Sequence, residues 1–371
     1  MRQFVVALLV VLTAGFAERG LAREVRVSDP VYSPAARVRD PSRCVLLDVN
    51  WAGNRLVAVG ERGIVILSED GGLTWRQVNV PTGVSLTRVK FITPTCGWAL
   101  GNAGIVLHTD DGGQTWTRRL DGIHAAHLAL KAARENIERS SPDDSAAKEQ
   151  LHAAELLVTD GPDKPFFDLY FENEQTGFII GAYGLIFRTE NGGKTWAPWM
   201  SHIENPKSNH LYAIKKVGSD LFIAGEQGLF LRSTDNGQKF TELRTPYKGT
   251  FFTLTARGSG QIVLAGLRGN VFWTTDQGQS FTQGKNPVKA SISASTWLPG
   301  GVLIFADQEG SFLESRDGGR TLRPLDIPRI PPVAALVASR DSAALVTVGL
   351  GGVIRIQLPE SVRKASSGGA R

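Results

Sequence analysis

The chain has 371 residues, of which 42% are hydrophobic and 21% charged, and its formal net charge is +5. These proportions describe an ordinary folded, soluble protein, and the charge falls short of a nucleic-acid signature while admitting an acidic partner. Length alone would suggest two or three domains, but an internal repeat overrides that expectation.

The N-terminus reads as an export signal. Arg2 is followed by the apolar run "FVVALLVVLTAGFA" (Phe4 to Ala17), with small residues for cleavage at Gly15 and Ala17 or at Gly20 and Ala22. We expect a signal peptide over 1–22, cleaved after 17 or 22, because the run is too short and wrongly flanked for a permanent span. No cysteine lies at the end of the apolar run, so a lipid anchor is not expected.

From residue 44 onward a box recurs: "SEDGGLTW" (Ser68 to Trp75), "TDDGGQTW" (Thr109 to Trp116), "TENGGKTW" (Thr189 to Trp196), "STDNGQKF" (Ser233 to Phe240), "TTDQGQSF" (Thr274 to Phe281) and "SRDGGRTL" (Ser315 to Leu322). The last residues of successive boxes are 41, 80, 44, 41 and 41 positions apart. About fifteen residues before the last residue of each box lies a G-x-x-G marker: "VGERG", "LGNAG", "IGAYG", "AGEQG", "AGLRG" and the degenerate "ADQEG". A seventh, "VGLGG" (Val348 to Gly352), has no box after it. Each unit carries four short strand-like segments, and four strands in about 41 residues is the period of a β-propeller blade.

The box resembles the Asp-box of sialidase-type (BNR) repeats, a hairpin between the third and fourth strands of a blade. Its acid can bond backbone N–H groups in the turn, its glycine tolerates positive φ, and its aromatic residue drops between sheets. We therefore read Asp70, Asp111, Asn191, Asp235, Asp276 and Asp317, with Trp75, Trp116 and Trp196, as structural; catalytic carboxylates would require six equivalent active sites. The fold class expected is all-β: a single seven-bladed propeller over 23–360 with a helical hairpin between blades two and three. Val333 to Arg340, Ala344 to Gly349 and Val353 to Leu358 give the seventh blade only three strands. Residues 24–33 are therefore expected to supply its fourth and close the ring. Residues 361–371 read as a disordered tail.

The 80-residue gap holds the insert, 121–163. "GIHAAHLALKAARENIER" (Gly122 to Arg139) is helical, with Ile123, Ala126, Leu130, Ala133 and Ile137 on one face. A second helix is expected to start at Ser141 as N-cap and Pro142, and to run to about Val158. His124, His127, His152 and Glu155 resemble a metal site in outline. Lys131 and Arg134 share their face and oppose a cation, so we expect no metal and no cofactor. Cys44 and Cys96 fall at opposite ends of their strands and should remain separate thiols.

In a propeller the connections between blades and the second-to-third-strand turns share one rim, so the insert and the G-x-x-G turns lie together, opposite the boxes. On that rim we expect Arg62 and Arg268 in G-x-x-G turns, Arg118 and Arg119 entering the insert, and Arg244 and Lys248 between blades four and five. These are the candidate partner-binding residues, since arginine suits fork-like pairing with carboxylates. Glycoside hydrolysis or glycan binding of the sialidase kind is the alternative. However, "RIP" (Arg329 to Pro331) follows the last box instead of preceding the first, and only Tyr183 among five tyrosines sits in a G-x-x-G turn.

The export signal, seven G-x-x-G-x-[IVLF] units and the T-x-D-G-G-x-T-W box together resemble the photosystem II assembly and stability factor propellers and their bacterial relatives. The resemblance spans Cys44 to Leu358, interrupted by the insert. It implies a non-enzymatic scaffold with no catalytic residues that binds a membrane protein or envelope complex, through an acidic segment of that partner. It also implies a monomer that binds no nucleic acid and does not span the membrane once the signal is cleaved. The location implied is the periplasm, or the thylakoid lumen of a photosynthetic source.

Overall fold

In the computed structural model, residues 29–367 are described; the expected signal peptide and residues 24–28 lie outside the described residues. The chain forms seven antiparallel sheets, each with its strands in sequence order. The first strands are Leu46–Ala52, Leu86–Phe91, Phe166–Phe171, Leu211–Val217, Phe251–Arg257, Ile292–Trp297 and Val333–Ala338. Each packs against the first strand of the next blade, and the seventh packs against the first, so they form the inner wall of a closed ring. The second strands are almost wholly buried. Fourth strands are two residues long in five of the six four-stranded blades, which keeps the exposed edges too short to recruit another chain.

The seventh sheet has three strands, Val333–Ala338, Ala344–Gly349 and Gly352–Gln357. The described part of 24–33 does not join it. Asp29 to Ser33 instead form a turn, with Tyr32 N and Ser33 N donating to Asp29 O at 3.0 Å and Val31 buried between blades one and two. Gly83 N donates to Pro30 O at 2.7 Å and Ala35 N to Val80 O at 3.0 Å. The chain then follows the outer edge of blade one, where Val38 N donates to Gln77 Oε1, before Pro41–Arg43 packs against the last strand of blade seven. Pro30 and Pro34 have no N–H to give a ladder, which explains a strap where a strand was expected.

Two further expectations are corrected at the tail and the insert. Residues 361–367 are not disordered: helix α3 (Glu360–Ser367) buries Val362 fully and, with Leu358, packs on Leu298 and Val302 of blade six. In the insert, α1 spans Gly122–Arg139, capped by Asp121, whose Oδ1 accepts from His124 N at 2.9 Å. Helix α2 spans Ser145–Asp160 and is capped by Asp144, not Ser141, with Oδ1 accepting from Ala147 N at 3.0 Å. Residues 141–144 are used by a turn closed from Asp144 N to Ser141 O, which delays the helix. The buried face of α1 is Ala125, Ala126, Ala129 and Ala133, whereas Ile123 is 41% exposed. The helix is rotated because its start is pressed onto blade two: a Cβ on Gly104, at φ +63°, would lie 2.5 Å from Gly122 Cα.

All six boxes share one turn. In the fifth, Thr274 Oγ1 donates to Asp276 Oδ1 at 2.6 Å, Gly278 N donates to Thr274 Oγ1 at 3.1 Å, and Ser280 N donates to Asp276 Oδ1 at 3.0 Å. Asn191 fills the same place in the third, accepting from Thr195 N at 2.9 Å and donating to Thr195 Oγ1 at 2.7 Å. The box aromatic residues sit between their own blade and the preceding one: Trp116 among Val57 and Leu67 of blade one, Trp196 against Trp98 of blade two, and Phe240 against Phe178 of blade three. Hydrogen bonds from Ser280 and Thr274 hold the Asp276 carboxyl down at about 2. A depressed carboxylate stabilises the fold fully above its unfolded value near 3.8, and that contribution is lost as pH falls through about 2. The melting temperature should therefore decline between about pH 4 and pH 2. Asp276→Asn, which keeps the acceptor as Asn191 does, should flatten part of that decline; an unchanged slope by calorimetry would show that the box acid contributes none of it.

Candidate partner-binding site

The rim opposite the boxes is built from the G-x-x-G turns, the connections between blades and the helical insert. Each of the first five turns places a non-glycine residue in the left-handed region at its tip, among them Arg62 (φ 55°), Tyr183 (φ 53°), Gln227 (φ 55°) and Arg268 (φ 57°). This conformation thrusts the side chain outward, and Arg62, Tyr183 and Arg268 are exposed.

The structure gathers some of the six basic candidates and separates others. Arg244 and Lys248 are exposed on the connection between blades four and five, which packs on the fourth G-x-x-G turn through Gly228 N and Gly249 O at 2.6 Å. Tyr247 Oη in the same connection donates to Leu267 O at 2.9 Å, beside Arg268. Arg244, Lys248 and Arg268 therefore share one sector, while Arg62 stands apart on blade one. Among the described residues none of these four pairs with a carboxylate. Arg118 and Arg119 are otherwise engaged. Arg118 Nη1 donates to Val31 O at 2.9 Å, and its guanidinium lies 4.5 Å over the Tyr32 ring. Arg119 Nη2 reaches His108 Nδ1 at 3.4 Å between blades two and three. Adjacent residues of a strand face opposite sides, so this pair could not serve one surface together.

Sequence reading missed an aromatic arc at the mouth of the central channel. The second residues of the inner strands of blades three, four and five are Phe167, Tyr212 and Phe252. Phe167 stacks on Tyr212 at 5.0 Å, and Tyr212 meets Phe252 edge-on at 5.3 Å. His210 and Tyr183 extend the arc, with ring centroids 4.8 Å apart and Tyr183 N donating to His210 Nδ1 at 2.9 Å. Lys164, at the foot of the insert, lies 5.0 Å over Tyr183 while its Nζ pairs with Asp160 and Asp163. The signal was present in "FFDLYF" (Phe166 to Phe171), which is denser in aromatic residues than any other inner strand, but a strand face alone does not say which residues meet across blades.

Below the arc, the channel wall carries a charge network. Arg88 of blade two lies between Asp48 of blade one at 3.6 Å and Asp168 of blade three at 3.2 Å, and Lys90 reaches Asp168 at 2.6 Å. Burial would raise Asp168, but Lys90 and Arg88 outweigh it and hold the carboxyl low. For Asp48 burial prevails over Arg88 and pushes the carboxyl up. Lys215 of blade four, although exposed, is pushed down by partial loss of hydration and by Lys90. His124, His127, His152 and Glu155 of the insert are not among the donor groups close enough to hold an ion in the described residues.

A closed ring of seven blades, with Asp-box turns on one rim and a helical insert on the other, defines the class of seven-bladed β-propellers. Within that class the chain belongs to the photosystem II assembly factor family: the family model described as Photosynthesis system II assembly factor YCF48 matches residues 31–126 and 152–323, well over half of the sequence. The photosystem II assembly lipoprotein Ycf48 of Synechococcus sp. (strain CC9902) is 31% identical over 99 residues, which is 26% of this chain and 30% of that protein. The chain thus aligns with less than a third of that relative's length. In three dimensions it resembles YCF48 bound to D1 peptide, with a TM-score of 0.62, 15% identity and coverage of 88% of this chain and 100% of the other. YCF48 from Cyanidioschyzon merolae gives 0.62, 17%, 88% and 99%. These two likenesses show the fold. Among the described residues no helix is long and apolar enough to cross a membrane.

Proposed function

We propose that this chain is a non-enzymatic assembly factor that holds a segment of a membrane-protein partner on its G-x-x-G rim. Blades three to five are the platform, and the insert walls one side. The observation that carries this reading is the convergence of the Phe167–Tyr212–Phe252 arc with Arg244, Lys248 and Arg268 in one sector. Aromatic rings supply contact area at small entropic cost, and unpaired guanidinium and ammonium groups select carboxylates. Membership of the assembly-factor family supports a membrane-protein client, and the D1 peptide bound to YCF48 supports a peptide segment as its recognised part. The chain works as an exported monomer, in the periplasm or, in a photosynthetic source, the lumen. The sialidase-like alternative is disfavoured because the channel carboxylates Asp48 and Asp168 are buried against Arg88 and Lys90.

The test is joint charge reversal, Arg244→Glu, Lys248→Glu and Arg268→Glu, at exposed positions that leave the core untouched. Capture of the partner from solubilised membranes should weaken by about tenfold or more at low salt, and wild-type capture should fall as salt rises. Undiminished capture by the triple variant would refute the rim. Turnover of a sialoside by the wild type would instead favour the alternative.

A further inference from the structure

We propose that Cys96, His108 and Asp110 form a binding site for one Zn²⁺ ion on the box rim of blade two, the face away from the partner-binding rim. Strand register assembles it. Gly97 pairs with Thr109 and Trp98 with His108, so the residue before the second strand is brought beside the end of the third. Cys96 Sγ lies 3.5 Å from His108 Nε2, the nitrogen that would hold the ion, while Asp110 Oδ2 lies 3.5 Å from the other ring nitrogen, Nδ1, and reaches the ion only by turning its side chain. One donor atom from each residue falls within 4.8 Å of the others.

A tetrahedral ion with Zn–S of about 2.3 Å and Zn–N of about 2.0–2.1 Å holds sulfur and nitrogen about 3.5 Å apart. Thiolate, imidazole and carboxylate form a donor set suited to zinc, with the fourth position left to water. Cys96 and His108 are buried, whereas the Asp110 side chain is 77% exposed and free to swing onto the ion from solvent. The charged groups facing the site are Asp110 and Glu174, which favour a cation, and Arg119, which opposes one.

The same three residues could suggest a cysteine nucleophile, but the protonation pattern argues against it. Burial pushes the Cys96 thiol up to about 11 and the His108 imidazole down, so both rest neutral and no thiolate–imidazolium pair forms. Neutral imidazole is the ligating form, and the thiol loses its proton only to the metal: one Zn²⁺ enters, one S–H bond breaks and one proton leaves to solvent.

The experiment is titration of the full chain with Co²⁺, then Zn²⁺. One equivalent of Co²⁺ should produce thiolate-to-metal charge-transfer absorption that Zn²⁺ bleaches, with affinity rising about tenfold per pH unit as one proton is released. Cys44→Ser should keep the band and Cys96→Ser should lose it. Asp110→Asn, at an exposed side chain that leaves the fold intact, should weaken Zn²⁺ about tenfold or more. The proposal falls if the wild type shows no band, if the band follows Cys44, if Asp110→Asn binds as tightly as wild type, or if metal settles on His124, His127 and His152 without a thiolate signature.

Discussion

Replacing Asp168 with alanine is expected to cost about 3–5 kcal/mol, because it strips one carboxylate from two buried-side cations at once. Its Oδ1 faces Lys90 at 2.6 Å and Arg88 at 3.2 Å, and its Oδ2 accepts from Ile214 N at 2.9 Å, so one side chain ties blades two, three and four. The alanine variant would leave Ile214 N without its acceptor and remove the carboxylate that neutralises both cations, leaving Lys90 only Leu169 O and Arg88 only Phe167 O and Asp48. Asp48→Asn is the control. Burial already drives that carboxyl toward neutrality, and an amide oxygen can still accept from Val89 N, so the loss should stay near about 1 kcal/mol. The signs in pH follow. Asp168 is depressed, so its stabilisation is present above the ordinary carboxylate range and fades as pH falls below it; the alanine variant should lose that part of the acid sensitivity. Urea unfolding of both variants decides the matter. Equal losses at the two positions would mean that the channel network is not organised around Asp168.

That network also marks where sequence reading stops. The boxes, their 41-residue period and the hairpins at each G-x-x-G were legible because each is closed by neighbours within a few residues, as Asp70 is by Ser68 and Thr74. The insert was legible for the same reason: helix periodicity is local. Its rotation was not, since what turns Ala129 inward and Ile123 outward is contact between Gly122 and a turn eighteen positions earlier. Residues 24–33 looked like a missing strand because a three-stranded seventh unit called for one. In the described part Pro30, with Pro34 just beyond, opposed a ladder, and the partner proved to be the Val80 to Gly83 connection. Arg88 and Lys90 share the inner strand of blade two, but Asp168 lies on that of blade three beyond the helical insert, and the three meet only when the two blades pack. The candidate rim divides in the same way. Arg268 and Arg62 were placed by their turns, whereas the engagement of Arg118 by Tyr32 and the arc of Phe167, Tyr212 and Phe252 depend on which blade faces which.

Trp196→Ala should be comparably severe, at about 3–5 kcal/mol, through loss of packing between blades two and three. The indole is 4% exposed and meets Trp98 edge-on at 5.9 Å and Phe171 at 6.2 Å, directly beneath the seam from which the insert springs. Trp98 in turn stacks on Phe171 at 4.7 Å, so the deletion would leave a void bordered by rigid rings that cannot collapse into it. The cost comes from shape, because Trp196 Nε1 has no hydrogen-bond partner among the described residues. Trp196→Phe should therefore recover most of the loss. Trp116 separates the two contributions: its Nε1 donates to Gly113 O at 2.9 Å, so Trp116→Phe forfeits a buried hydrogen bond as well as volume and should fall further below wild type by about 1 kcal/mol. Denaturant melts of the three variants give the ordering directly. If Trp196→Phe proved as damaging as Trp196→Ala, the indole nitrogen would have to be bonded in solution, and packing alone could not account for the box aromatic at this seam.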